Sequence, residues 1–91
     1  DGYASSPYVI SIGAMDHTGQ QSWYSESCSG LFAVAPSSGA GKGIVTADLI
    51  NSPEGECTRT FGGTSSATPL AAGIIALILQ ERPDLTWRDV M

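Results

Sequence analysis

The chain has 91 residues, 42% of them hydrophobic and only 14% charged, with a net charge of −5. That allows one small domain at most, and the lack of a Lys/Arg surplus argues against nucleic-acid binding. The longest apolar run, Ala71 to Leu79, is too short to cross a bilayer.

So few charges suit a buried piece of a larger domain better than a free-standing one, because a chain this small needs charge to cover its surface. The termini point the same way. Asp1-Gly2-Tyr3 is neither a Met start nor a leader, and the chain stops at Met91, where a new helix is beginning. The expectation is a fragment.

In chain order, "YVISIGAMD" (Tyr8 to Asp16) is β-branched and reads as a strand, followed by the turn "DHTGQ". "SESCSG" is a polar loop. "LFAVAPSS" is a short apolar run ended by Pro36, and "SSGAGKG" has the composition of a flexible loop. "GIVTADL" (Gly43 to Leu49) is a second strand. The turn cluster "NSPEGEC" after it predicts a hairpin returning toward Arg59 and Thr60. A helix then runs over Ala67 to Leu79, with Pro69 in its first turn, where a missing N–H does no harm. It is apolar nearly all round, which predicts burial on most sides. Glu81-Arg82-Pro83-Asp84 ends it, and Thr86-Trp87-Arg88-Asp89 reads as a capping box opening another helix. Strands mixed with a central buried helix give an α/β fold class. No repeat and no linker divides residues 1–91.

Two cysteines, Cys28 and Cys57, leave three readings open: an internal disulfide, two half-cystines with partners elsewhere, or two buried thiols. Neither lies in a C-x-x-C pair, so metal binding by them alone is not expected.

The chemistry concentrates at "GGTSSATP" (Gly62 to Pro69), where hydroxyls crowd the mouth of the apolar helix. A helix N-terminus offers unpaired N–H groups and a partial positive charge, which suits an oxyanion. A serine there can present its hydroxyl to a carbonyl, and the glycines leave room for a substrate strand. The same residues are also ordinary N-caps, and a serine without a base is a poor nucleophile.

"GTSSATPLAAG" (Gly63 to Gly73) resembles the Gly-Thr-Ser-x-Ala-x-Pro signature of the subtilisin superfamily. "PLAAGIIALIL", "LTWRDV", "DGY", "WYSESCS" and "IVTADL" are similar to its kexin/furin-like proprotein convertases. The resemblance implies a partial subtilisin-like three-layer sandwich, mainly parallel, with residues 1–91 as the C-terminal portion of the catalytic domain. It implies Ser65 as nucleophile and oxyanion N–H donor, Thr64 as a substrate-positioning residue, and Asp1 as the carboxylate facing a P1 arginine. It assigns Glu26 one ligand position for a structural calcium, whose other ligands precede the chain. It pairs Cys28 and Cys57 with cysteines earlier in the same domain, rather than with each other.

The implied activity is cleavage of precursor proteins after paired basic residues, in the secretory pathway: Golgi, trans-Golgi membrane or secreted. The matching Asp, His and oxyanion Asn would all precede Asp1. His17, in "DHTGQ", lacks the Gly-Thr of the family's catalytic His and reads as a loop residue. Phe61 stands where furin-like enzymes often carry a histidine. The competing expectation is a pseudoprotease kept as a binding module. For the isolated chain, no peptidase activity is expected.

Overall fold

The computed structural model describes residues 2–91. Four strands precede two helices: β1 (Ile12–Met15), β2 (Ala33–Pro36), β3 (Ile44–Ala47), β4 (Cys57–Phe61), α1 (Thr64–Glu81) and α2 (Trp87–Val90). β1 and β2 form a parallel pair with Ile12 opposite Ala33 and Ala14 opposite Ala35. β3 and β4 form an antiparallel hairpin with an irregularity between Ile44 and Thr46. This is the expected partial α/β arrangement, with α1 packed on one face of β1 and β2.

The first strand is shorter than its apolar run. Ser6 diverts the chain before it: its hydroxyl takes the Tyr8 N–H at 3.3 Å and its carbonyl the Val9 N–H at 3.2 Å. Pairing begins where Phe32 N–H reaches the Ser11 carbonyl at 2.9 Å. The glycine-rich loop after β2 is a tight two-residue turn. Gly39 and Lys42 exchange backbone hydrogen bonds at 2.9 and 3.0 Å, and the central Ala40 and Gly41 both have positive φ, as type I′ turns require.

The core is small and made of alanines. Ala14, Ala35 and Ala67 are buried together, flanked by Ile12, Tyr24 and Ala71. Small side chains at this crossing let the start of α1 approach the parallel pair closely. The helix departs from expectation in two ways. It begins at Thr64, so Pro69 is its sixth residue and not in its first turn. And it is not buried on most sides: only Ser66 and Ala67 are buried, because the strands it packs against, β1 and β2, are only four residues long each. α2 opens on the expected capping box and docks Trp87 on Tyr8, ring centroids 5.2 Å apart.

Candidate active site

β2 ends at Pro36, so Ser37 and Ser38 sit at the carboxyl end of a parallel strand, the edge where α/β folds place ligands. Ser37 is tied to the neighbouring strand by its N–H to the Met15 carbonyl at 2.8 Å. These two serines meet the turn that starts α1. Ser37 Oγ donates to the Gly63 carbonyl at 2.7 Å and lies 2.5 Å from Ser66 Oγ. Ser38 Oγ accepts the Gly63 N–H at 3.3 Å. Tyr24 Oη reaches both hydroxyls, at 2.8 Å from Ser37 and 3.0 Å from Ser38.

Gly63 is the N-cap residue, with φ 76° and ψ 175°, a conformation suited to glycine. No side chain caps the helix here. The hydroxyls behind it bond backward: Ser66 Oγ to the Gly63 carbonyl at 3.1 Å, and Thr68 Oγ1 to the Thr64 carbonyl at 2.9 Å. Gly62 touches Ser38 so closely that an added Cβ would sit 2.0 Å from its Oγ.

Ser65 is therefore the second residue of α1, exposed, on a turn held from behind. Among the described residues neither its hydroxyl nor its N–H has a hydrogen-bond partner. A free hydroxyl beside a free amide at a helix N-terminus is the geometry in which a nucleophile and an oxyanion donor share one residue.

Beside it lies a depression of about 480 Å³ lined by Thr64, Thr68, Tyr24, Glu26 and Tyr3, among others. The structure thus brings Thr64 and Glu26 to one concavity, together with the segment that follows Asp1. Asp1 itself lies outside the described residues. Ser65 is not among the lining residues but follows Thr64 directly. His17 is exposed in the Asp16–Gln20 turn. Asp16 organises that turn, and the Thr18 hydroxyl, 2.6 Å away, holds its carboxyl below the usual range, helped by the Thr18 and Gln20 amides.

Calcium needs six to eight oxygen ligands. Among the described residues Glu26 is the one carboxylate lining the depression, and no group of three or more metal-ligating side chains occurs. The described residues do not by themselves make a calcium site. Cys28 and Cys57 are both free and exposed. Phe61, half-exposed at the end of β4, lines a separate, mainly apolar depression with Ile44, Leu70 and Pro69. No helix among the described residues is long and apolar enough to cross a membrane.

The sequence profile of the Subtilase family matches residues 3–91. The chain belongs to the subtilase family. It is 50% identical over 90 residues to kexin of Saccharomyces cerevisiae, covering 99% of this chain and 11% of that protein. It is 50% identical over 92 residues to the human proprotein convertase subtilisin/kexin type 7, covering 99% of this chain and 12% of that protein. It is 47% identical over 94 residues to the dibasic-processing endoprotease of Yarrowia lipolytica, covering 99% of this chain and 10% of that protein. This subtilase chain is kexin-like, and it spans about a tenth of the length of the curated relatives it matches.

From the sequence alone the hydroxyls of Tyr24, Ser37 and Ser38 have no assigned role, and both serines read as loop residues. Their partners stand 13 to 29 residues away. The available signal was the pair of hydroxyls directly after an apolar strand.

Proposed function

We propose that this subtilase chain is the serine-bearing, C-terminal portion of the catalytic domain of a secretory-pathway endopeptidase that cuts precursor proteins after paired basic residues. The observation that carries the proposal is Ser65 at the start of α1, whose hydroxyl and amide have no hydrogen-bond partner among the described residues. Ser65 Oγ attacks the scissile carbonyl, and its proton passes to a histidine outside these 91 residues. The Ser65 N–H and an asparagine, also outside them, hold the oxyanion. Thr64 borders the substrate and Asp1 takes the P1 arginine by charge-assisted hydrogen bonds. The names of the relatives, a proprotein convertase and a dibasic-processing endoprotease, support this substrate class.

Glu26 supplies one arm of a calcium site completed by carboxylates beyond this chain. Cys28 and Cys57, exposed and free, pair with cysteines of the same domain in the oxidising secretory compartment, Golgi or later. The apolar surface of α1 packs against the remainder of that domain.

The test is the full-length protein with a serine-directed fluorophosphonate probe and an Arg-Arg peptide. Wild type is expected to be labelled at Ser65 and to cleave after the arginines. Ser65→Ala loses labelling and lowers kcat by about 10⁶. The 91-residue chain alone is expected to cleave nothing. A folded full-length protein that neither labels nor cleaves would leave the binding-module reading in its place.

A further inference from the structure

Gly63 is bonded on both sides of its α-carbon, and the bonds close on each other. Its N–H donates to Ser38 Oγ at 3.3 Å. Ser38 Oγ–H can donate to Tyr24 Oη at 3.0 Å, and Tyr24 Oη–H to Ser37 Oγ at 2.8 Å. Ser37 Oγ–H donates to the Gly63 carbonyl at 2.7 Å. In this arrangement each ring hydroxyl donates once and accepts from the preceding member, and Ser37 Oγ also accepts the Ser66 hydroxyl at 2.5 Å in place of Ser66's longer bond to the Gly63 carbonyl. Tyr24 Oη also lies 2.7 Å from the Ser38 carbonyl, which Ser22 Oγ reaches at 2.8 Å. That carbonyl can accept from both, and the ring is closed in the arrangement where the Tyr24 proton points to Ser37.

From this geometry we infer that Tyr24, Ser37 and Ser38 form a closed hydroxyl ring whose work is to position Ser65 for attack. The ring joins three stretches of chain: the loop after β1, the end of β2 and the start of α1. It fixes the two peptide planes flanking Gly63, at φ 76° and ψ 175°. Those planes set the direction in which Thr64 and Ser65 enter the helix, and so where the Ser65 hydroxyl and N–H point. Ser37 is buried and Tyr24 and Ser38 are half-buried, so the bonds are partly shielded from water, where a chain of hydrogen bonds polarises its members. Gly62 presses on Ser38 from the other side, leaving the turn little freedom to drift.

Burial pulls the Tyr24 hydroxyl up, yet the surrounding Ser22, Ser37 and Ser38 hydroxyls and the Gly63 backbone bring it below the ordinary tyrosine value. That balance fits a phenol enclosed by polar partners. None of the three residues touches the reacting atoms in this scheme; they act through Gly63. The inference rests on the peptidase reading above.

Full-length protein carrying Tyr24→Phe, Ser38→Ala and the two together is compared with wild type. Rates are counted per site labelled by the fluorophosphonate probe, so that unfolded material drops out. Tyr24→Phe keeps the aromatic face toward the substrate depression and removes only the link. Each single change is expected to lower kcat about tenfold with KM within twofold, since a misplaced group costs rate and not binding. The double variant is expected to fall no further than either single one, because a ring broken once is already open. Unchanged kcat per labelled site overturns the inference. So does a loss residing in KM, or a double variant showing the product of the two losses. If Ser38→Ala yields no folded protein, Tyr24→Phe decides alone through its kcat and KM. A wild type that fails to label and cleave removes the peptidase reading, and this inference with it. A wild type that cleaves beside an equally active Tyr24→Phe removes the ring alone.

Discussion

The turn from Gly62 to Ser66 and the body of α1 adjoin in sequence but are held by opposite means. The turn is held by directional bonds at Gly63 and Ser66, with Ser65 left unbonded among the described residues. Ser37 and Ser66 are 6% and 2% exposed, and among the described residues no buried side-chain nitrogen or oxygen lacks a partner. The helix body is apolar and open: Ile74 is 56% exposed, Leu77 68% and Ile78 45%. Hydrogen bonds act at contact distance and can be completed by a few nearby segments. Hydrophobic burial scales with area and needs a second surface. The shape of the candidate site is thus built locally, while the burial that would stabilise its helix is not.

The sharpest way to separate the two is to put a charge on the helix body. Leu77→Asp in the 91-residue chain alone is expected to leave helicity nearly unchanged by circular dichroism, since the side chain already meets water. In the full-length protein the same change is expected to cost about 3 kcal/mol, because a carboxylate would lose its water against apolar cover. Equal, small effects in both settings would mean that this face stays open. The isolated chain is also expected to melt without a cooperative transition, the buried hydrophobics among its described residues being three alanines.

Gly62→Ala probes the other region. The new Cβ would meet Ser38 Oγ at 2.0 Å and Ser38 Cβ at 2.5 Å, so the turn must shift. Overpacking of this kind costs about 1–3 kcal/mol. The informative comparison is the ratio of effects. Gly62→Ala is expected to reduce kcat in full-length protein by well over tenfold for a modest loss in melting temperature. Leu77→Asp is expected to do the reverse, lowering melting temperature while kcat per labelled site holds.

The same contrast explains what could be read from sequence. The β3–β4 hairpin, the end of α1 at Arg82 and the α2 capping box were legible because each is written in neighbouring residues. The start of α1 was not. Ser65, Ser66 and Thr68 look like caps, but Gly63 is the N-cap, and Ser66 and Thr68 bond back to carbonyls of the preceding turn. Hydroxyls that satisfy themselves this way can sit inside a helix, and a composition rule cannot tell the two uses apart. Ser65 and Thr64 were legible as site candidates through their motif. The ring behind them was not, since Tyr24 meets Ser37 only when β1 and β2 pair. Burial of the helix was inferred from its apolar composition, which states what a helix needs and not what covers it within these residues.

The smallest expected effect lies in α2, a local polar device that borders the helix body but not the turn. Asp89 Oδ2 accepts from Thr86 N–H at 2.8 Å and from Thr86 Oγ1 at 2.9 Å. The Thr86 backbone bond first, and its side-chain bond second, hold the Asp89 carboxyl below its ordinary value. A depressed folded-state value means that the stabilisation is complete above the unfolded value and is lost as pH falls through the folded one. Hydrogen-exchange protection of the Val90 amide, which donates to the Thr86 carbonyl at 3.3 Å, is therefore expected to hold from pH 7 to 5. It is expected to decline below about pH 4, once corrected for intrinsic exchange. Thr86→Ala should reduce it about fivefold at neutral pH, the cost of one cap. Asp89→Asn should flatten the acid decline. A decline that persists in Asp89→Asn would place its origin outside the capping box. Neither change is expected to alter kcat, because α2 borders Tyr8, Ile10 and the body of α1, and not the Gly63 turn.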